Sequence, residues 1–61
     1  MSLGTNIHAK KDGDKLVITI DLSQDHGPSK SGKTTIIATT SGNQKVEGSD
    51  AIIGINCYRK R

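Results

Sequence analysis

The fold is decided by the segment TTIIATT, residues 34–40, which follows directly after a polar, basic loop. Every residue in it except Ala38 is β-branched. Such side chains lose rotamer freedom in a helix and pack well on a pleated sheet. We therefore predict a β-strand here, with Ile36 and Ala38 on one face and Ile37 and Thr39 on the other.

Two other segments alternate between apolar and polar residues with the period of two that is typical of strands. In residues 15–22 the apolar face consists of Leu16, Ile18, Ile20 and Leu22. In residues 51–59 one face consists of Ile53, Ile55 and Cys57. Gly54 inside this last segment indicates a bulge or another backbone in close approach.

A shorter alternating segment at residues 5–11 leads into the pair Asp12-Gly13. Asp-Gly between two alternating segments predicts a β-hairpin with a type I′ turn, which needs positive φ at both central residues. The two remaining connections, residues 23–33 and 44–50, are long and polar and show no helical pattern. Without helical crossovers, neighbouring strands should pair antiparallel.

These patterns predict an all-β fold: a small antiparallel sheet of about four strands with two long polar loops. Residues 1–4 are expected to be a flexible or vector-derived start, and residues 5–61 a single small β domain. An alternative has a different strand order in which the long loops exchange between subunits.

The core material is thin, because the chain has 61 residues, no Phe or Trp, and Tyr58 as its single aromatic residue. A domain of this size hides only about 60% of the surface of its unfolded chain. Small domains usually add disulfides, a metal or oligomerisation. Cys57 is single, so we predict a homo-oligomer. The apolar side chains expected on its interface are Val17, Ile37, Ile52 and Tyr58.

We predict no metal, no cofactor and no enzymatic activity. His8, His26 and Cys57 lack the paired spacing of zinc ligands. Asp25 and His26, with a nearby serine, contain the letters of a catalytic triad, but triads are recognised by geometry rather than by nearness in sequence.

The stretch Gly27–Thr34 matches the phosphate-binding pattern G-x-x-x-x-G-K-[ST]. That loop functions between a strand and a helix whose N-terminus faces the phosphate. Here a strand is predicted to follow, and the chain is too short for a nucleotide-binding βαβ sheet, so nucleotide hydrolysis is disfavoured. A chance match in a flexible loop remains open, as does simple anion binding through side chains and exposed N–H groups.

A formal charge of +3 and a pI near 9.3 permit an anionic partner. The candidate anion-binding residues are Ser29, Lys30, Ser31, Lys33, Arg59, Lys60 and Arg61. The absence of Phe and Trp argues against single-stranded nucleic acid, which is usually bound by base stacking. Duplex phosphates need only Lys and Arg. The basic tail could instead be a solvated, frayed terminus.

The sequence also predicts a cytoplasmic protein without a membrane partner. No apolar run approaches the roughly 18 residues of a transmembrane helix, and no signal-peptide pattern is present. A lone cysteine favours a reducing compartment.

Three strings, SKSGKT at 29–34, ATTSGN at 38–43 and GINCY at 54–58, resemble a family of small uncharacterised bacterial proteins. The resemblance covers most of residues 15–60 and implies no activity and no site residue. The sequence thus predicts a non-enzymatic small basic binding module for nucleic acid or another polyanion. One alternative is a structural homo-oligomer or protein-interaction subunit with no nucleic-acid role. A third is phosphate or nucleotide binding through Gly27–Thr34.

Overall fold

The computed structural model describes residues 1–60, and every regular element within them is a β-strand. The strands are β1 Ser2–Gly4, β2 Ile7–Asp12, β3 Lys15–Thr19, β4 Thr34–Thr39, β5 Gln44–Lys45, β6 Ile52–Ile53 and β7 Asn56–Lys60. All paired strands are antiparallel. The predicted all-β, antiparallel class is therefore confirmed.

The strands form three small sheets, so the prediction of one four-stranded sheet is wrong. Their orders are β1-β2-β3, β4-β7 and β5-β6. The strand expected at 51–59 divides at Gly54: its first part pairs with β5 and its second with β4. A Cβ added to Gly54 would lie 2.7 Å from Asn43 Oδ1, so the close approach indicated by this glycine comes from a side chain.

The N-terminal residues are part of the folded domain, although the sequence predicted a flexible start. β1 pairs with β2, and Leu3 is buried with Ile7 and Ala9 in the core. Gly4 packs against the end of β4, where an added Cβ would lie 2.8 Å from Thr40 Cα. Real Cβ atoms essentially never approach backbone atoms so closely. Position 4 in β1 therefore accepts only glycine.

The hairpin between β2 and β3 turns one residue later than predicted. Asp12 pairs with Lys15, so the two central residues are Gly13 and Asp14. Gly13 has φ 61°, whereas Asp14 keeps a negative φ. Positive φ at the first central position alone is the pattern of a type II′ turn, not the expected type I′.

β3 presents Leu16 and Ile18 to the core while Val17 is exposed, as the alternation predicted. The strand ends at Thr19 instead of continuing to residue 22, and Leu22 is 65% exposed. The apolar face predicted from the sequence is therefore real but shorter at its C-terminal end.

The core lies between the three-stranded sheet and the β4–β7 pair. Its buried members are Leu3, Ile7, Ala9 and Ala38, and Leu16, Ile18, Ile20, Ile53, Ile55 and Cys57 pack around them. The backbones of Thr5 and Thr39 join the two sheets through hydrogen bonds of 2.9 and 3.2 Å. The hydroxyl of buried Thr40 accepts a 3.0 Å bond from Ile55 N–H, so the polar group in this region is satisfied.

A β-bulge in β4 breaks the alternation that the sequence predicted for residues 34–40. Ile36 pairs with Tyr58 and Ala38 with Cys57, which leaves Ile37 as the extra residue. Ile37 and Ala38 are consequently both buried, at 5% and 0% exposure. Ile37, which the sequence predicted at an oligomer interface, is therefore buried within the single chain.

The second polar connection, residues 44–50, is more ordered than predicted. It contains β5, and Val46 directly after β5 is buried. Val46 N–H donates a 2.9 Å hydrogen bond to the carbonyl of Ala51, which closes this segment back onto β6. In residues 1–60 there is no helix with the length and apolar character needed to cross a bilayer.

Candidate polyanion-binding surface

The pairing of β4 with β7 places basic residues from two distant parts of the chain at one end of the sheet. Thr34 pairs with Lys60, and Thr35 pairs with Arg59. Lys33 directly precedes β4, so it lies beside the end of β7. Lys33, Arg59 and Lys60 are all exposed. The name basic end is used below for Lys30, Lys33, Arg59 and Lys60; Arg61, also predicted to bind, lies outside the described residues.

The loop that carries Lys30 and Lys33 is held against β4 along the edge opposite β7. His26 N–H donates to the carbonyl of Ile36, and Ile36 N–H donates to that of Gly27, both at 2.9 Å. Ser29 N–H donates to the Thr34 carbonyl, also at 2.9 Å. Residues 30–33 thus form a turn anchored on both sides. Because this turn is tethered, ordering it against a ligand should cost less conformational entropy than ordering an open loop.

The phosphate-loop match lacks the geometry of a phosphate cradle, because several of its N–H groups already have partners. Gly27 N–H donates to Asp25 Oδ1 at 2.8 Å, and Gly32 N–H donates to the Ser29 carbonyl at 2.9 Å. The segment then continues into β4. The phosphate loop requires converging, unpaired N–H groups at a helix N-terminus, and this segment provides a different geometry.

The hydroxyls of the loop shape the turn. Thr34 Oγ1 donates to Ser29 Oγ at 2.8 Å, and Ser29 Oγ lies 3.2 Å from Ser31 Oγ. Lys33 N–H is 3.4 Å from Ser31 Oγ. Of the candidate anion-binding residues, the two serines are therefore engaged with their neighbours, while the lysines project from the turn.

The two chain segments that carry the basic end, residues 26–46 and 51–61, are basic. The acidic residues of the chain are Asp12, Asp14, Asp21, Asp25, Glu47 and Asp50, so residues 26–46 and 51–61 contain none. Arg59 has a second role, because its guanidinium donates a hydrogen bond to the carbonyl of Leu22 and so ties β7 to the loop after β3. Lys30, Lys33 and Lys60 supply the remaining positive charge.

A shallow groove of about 290 Å³ runs over the same sheet pair. Its lining includes Ser29, Thr34, Ile36, Thr39, Asn56 and Tyr58. Tyr58 is 60% exposed and lies opposite Ile36 in the pairing of β7 with β4. The sequence predicted Tyr58 at an oligomer interface, and its pattern did not predict this groove. The period of two along β7 was the available signal, since it places Tyr58 and Lys60 on one face.

The four apolar residues predicted to share an oligomer interface do not share a sheet face. Val17 lies on β3, Ile52 on β6 and Tyr58 on β7, which belong to three different sheets. Their side chains are 49%, 61% and 60% exposed. With Ile37 buried, the three exposed residues are separate apolar positions on the monomer surface.

The residues with the letters of a catalytic triad do not form one in the structure. Asp25 accepts from Gly27 N–H, whereas the His26 ring lies 2.7 Å from Gln24 Oε1, so the two are not coupled as in a triad. Within residues 1–60, no cluster of three or more His, Cys, Asp or Glu side chains could hold a metal ion.

A second cavity of about 330 Å³ lies between the β2–β3 hairpin and the β5–β6 segment.

No protein-family model, no curated protein and no solved structure matches the chain. The resemblance to small bacterial proteins therefore stays a prediction.

Proposed function

We propose that this chain is a non-enzymatic small basic binding module that contacts the phosphate backbone of nucleic acid, or another polyanion, through the basic end. The observation that supports this most is the pairing of Thr34 with Lys60, because Lys33 directly precedes Thr34 and so lies beside the last residues of β7. We also propose that the protein is located in the cytoplasm, because the lone Cys57 favours a reducing compartment.

The proposed binding is electrostatic. Each phosphate neutralised by Lys or Arg releases condensed counterions, so affinity falls steeply with added salt. The positive charge at the ends of β4 and β7 supports such contacts, because residues 26–46 and 51–61 carry lysines and arginines and no acidic residue. The test is the salt dependence of oligonucleotide binding, compared between the wild type and variants that lack the turn lysines.

A structural homo-oligomer is the second candidate, and one observation favours it. Within the described residues, β7 pairs only with β4, so its other edge remains open. An open strand edge can add a strand from another chain through main-chain hydrogen bonds. A second copy pairing there would give a two-fold dimer and would place two basic ends on one assembly.

The two candidates differ in what the charge does. In a purely structural oligomer or protein-interaction subunit, the lysines serve solubility only, and oligonucleotides should not bind at physiological salt. Light scattering at micromolar concentration measures assembly independently of any ligand. A monomer that binds oligonucleotides supports the first proposal alone, and a dimer that does not bind them supports the second alone.

A further inference from the structure

We infer that the groove beside Tyr58 binds an unpaired base of single-stranded nucleic acid, with the adjoining phosphate at Lys60. This inference rests on the proposed function and specifies its ligand. Asn56, Tyr58 and Lys60 occupy alternate positions of β7 and therefore lie in one row on one face of the strand. The row presents an amide, an aromatic ring and an ammonium group in that order.

The spacing along this row suits a nucleotide. Residues two apart in a strand are separated by roughly 6.5–7 Å, so Tyr58 and Lys60 can contact a base and its own backbone phosphate. The pairing of Thr34 with Lys60 brings Lys33 to the same end of the groove. Positive charge thus continues past Tyr58 along the same row, at Lys60 and the neighbouring Lys33.

The Tyr58 ring is accessible for stacking. It is 60% exposed, and Ile36 on β4 lies opposite it as an apolar neighbour. A single aromatic ring provides one stacking platform in each chain, which predicts modest affinity and little base preference. The absence of Phe and Trp argued against binding of single-stranded nucleic acid. In the structure, however, the one aromatic ring lies beside the basic end.

Asn56 adds a polar contact at the other end of the row. Its Oδ1 accepts a 2.9 Å hydrogen bond from Thr39 Oγ1, which fixes the amide orientation. The Nδ2 group makes no hydrogen bond to the described residues, so it can donate to a carbonyl oxygen of a base.

An unpaired strand fits this surface better than a duplex. Bases in a duplex are stacked on each other and cannot place a face against a side chain unless they are first extruded. The groove is open and shallow, so a flexible strand can cross it with one base on Tyr58. A duplex could contact only the basic end, without using Tyr58 or Asn56.

Tyr58 is the only aromatic residue of the chain, so its intrinsic fluorescence reports on stacking directly. The probes are oligo(dT) and oligo(U) of about ten nucleotides, within the usual site size of a small binding domain. A duplex and an abasic strand of equal length supply phosphates without accessible base faces. After correction for absorption by the bases, we expect oligo(dT) or oligo(U) to quench Tyr58, and the abasic strand to bind without comparable quenching. The first two probes distinguish DNA from RNA.

Anisotropy of the labelled strands measures the energetic contribution of the ring. Tyr58→Leu should weaken oligo(dT) or oligo(U) binding by about five- to 150-fold, and binding of the abasic strand should not change. Tyr58→Phe, which keeps the ring, should bind like the wild type. Circular dichroism confirms that each variant is folded.

Two results would overturn the inference while the proposed function stands: equal affinity for the abasic and base-carrying strands, or tighter binding of the duplex. If no probe binds even at low salt, both the inference and the proposed function are wrong.

Discussion

The side-chain amide of Asn6 donates a 3.0 Å hydrogen bond to the carbonyl of Ile37, the extra residue in the β4 bulge. The same Nδ2 group donates to the carbonyl of Asp21 at 2.9 Å. One side chain therefore joins the β1–β2 turn, the bulge and the segment after β3. This junction holds the β4–β7 pair, and so the basic end, against the three-stranded sheet.

Removing the Asn6 amide should destabilise the domain. Asn6 has φ 58°, a conformation that Asn and Gly tolerate best. Asn6→Gly keeps this conformation but loses the hydrogen bonds, at a cost of about 1–3 kcal/mol. Asn6→Ala should cost about 1 kcal/mol more, because Ala is also strained at positive φ. Urea unfolding followed by circular dichroism measures both, and wild-type stability in Asn6→Ala would contradict this role.

Ile37 and Ile52 should respond in opposite ways to the same substitution. Ile37 is 5% exposed, so Ile37→Asp removes a buried side chain worth about 2–5 kcal/mol and buries a carboxylate. Such a loss should unfold a domain of marginal size. Ile52 is 61% exposed, so Ile52→Asp should remain folded and serves as the matched control. Thermal unfolding distinguishes the two variants. A stably folded Ile37→Asp variant would contradict the burial of Ile37 at the bulge.

Ile52→Asp also tests the oligomer interface that the sequence predicted at Ile52, because the substitution keeps the monomer intact. If Ile52 lies in an interface between copies, light scattering should show a lower mass for the variant than for the wild type. A wild type that is itself monomeric at micromolar concentration would remove the oligomer from consideration.

The stability of the domain should include a contribution from Asp21 that acid removes. Its carboxylate accepts hydrogen bonds from the hydroxyl and the N–H of Ser23, at 2.6 and 2.9 Å, and these lower the pKa of Asp21. A lowered pKa stabilises the folded state above the unfolded value of about 3.9. The contribution is lost as the pH falls through the lower folded value. Asp21→Asn should reduce the dependence of the melting temperature on acid pH, and Asp14→Asn is the control. If the two variants show the same dependence of melting temperature on pH, the contribution of Asp21 is contradicted.

The phosphate-loop match should not bind nucleotide in the manner of that loop. Gly27, Ser29 and Gly32 use their N–H groups within the loop, and a strand follows the motif. We expect no magnesium-dependent ATP binding by isothermal titration and no phosphate release. Micromolar, magnesium-dependent binding that disappears in Lys33→Ala would overturn this prediction.

The sequence predicted strand character well because alternation reports directly on burial. Leu16 and Ile18 face the core as expected, and Ile53 and Cys57 pack on the same core. The sequence did not reveal the bulge at Ile37, because a bulge depends on a partner strand that lies far away in the chain.

The sequence also could not predict which strands pair in the same sheet. Residues 51–59 form an apparently continuous strand pattern, yet Gly54 separates two parts that pair with different partners. β1 was missed because three residues carry too little periodicity to distinguish a strand from a loose terminus. The location of the basic end was partly predictable, since antiparallel pairing of the last strand with residues 34–40 brings Lys60 near Lys33. The groove needed the structure, because its opposite wall comes from β4.

The most direct test of the central claim is the salt dependence of binding to labelled duplex and single-stranded oligonucleotides, measured by anisotropy. Each charge that contacts a phosphate contributes about 0.7–0.9 to the slope of log affinity against log salt. The double variant Lys30→Ala/Lys33→Ala should therefore lower the slope by about 1.4–1.8. The control Lys10→Ala/Lys15→Ala removes the same charge from the exposed face of the β2–β3 hairpin, and it should keep the wild-type slope. Equal slopes for both variants, or no binding at low salt, would contradict the claim that the basic end binds polyanions.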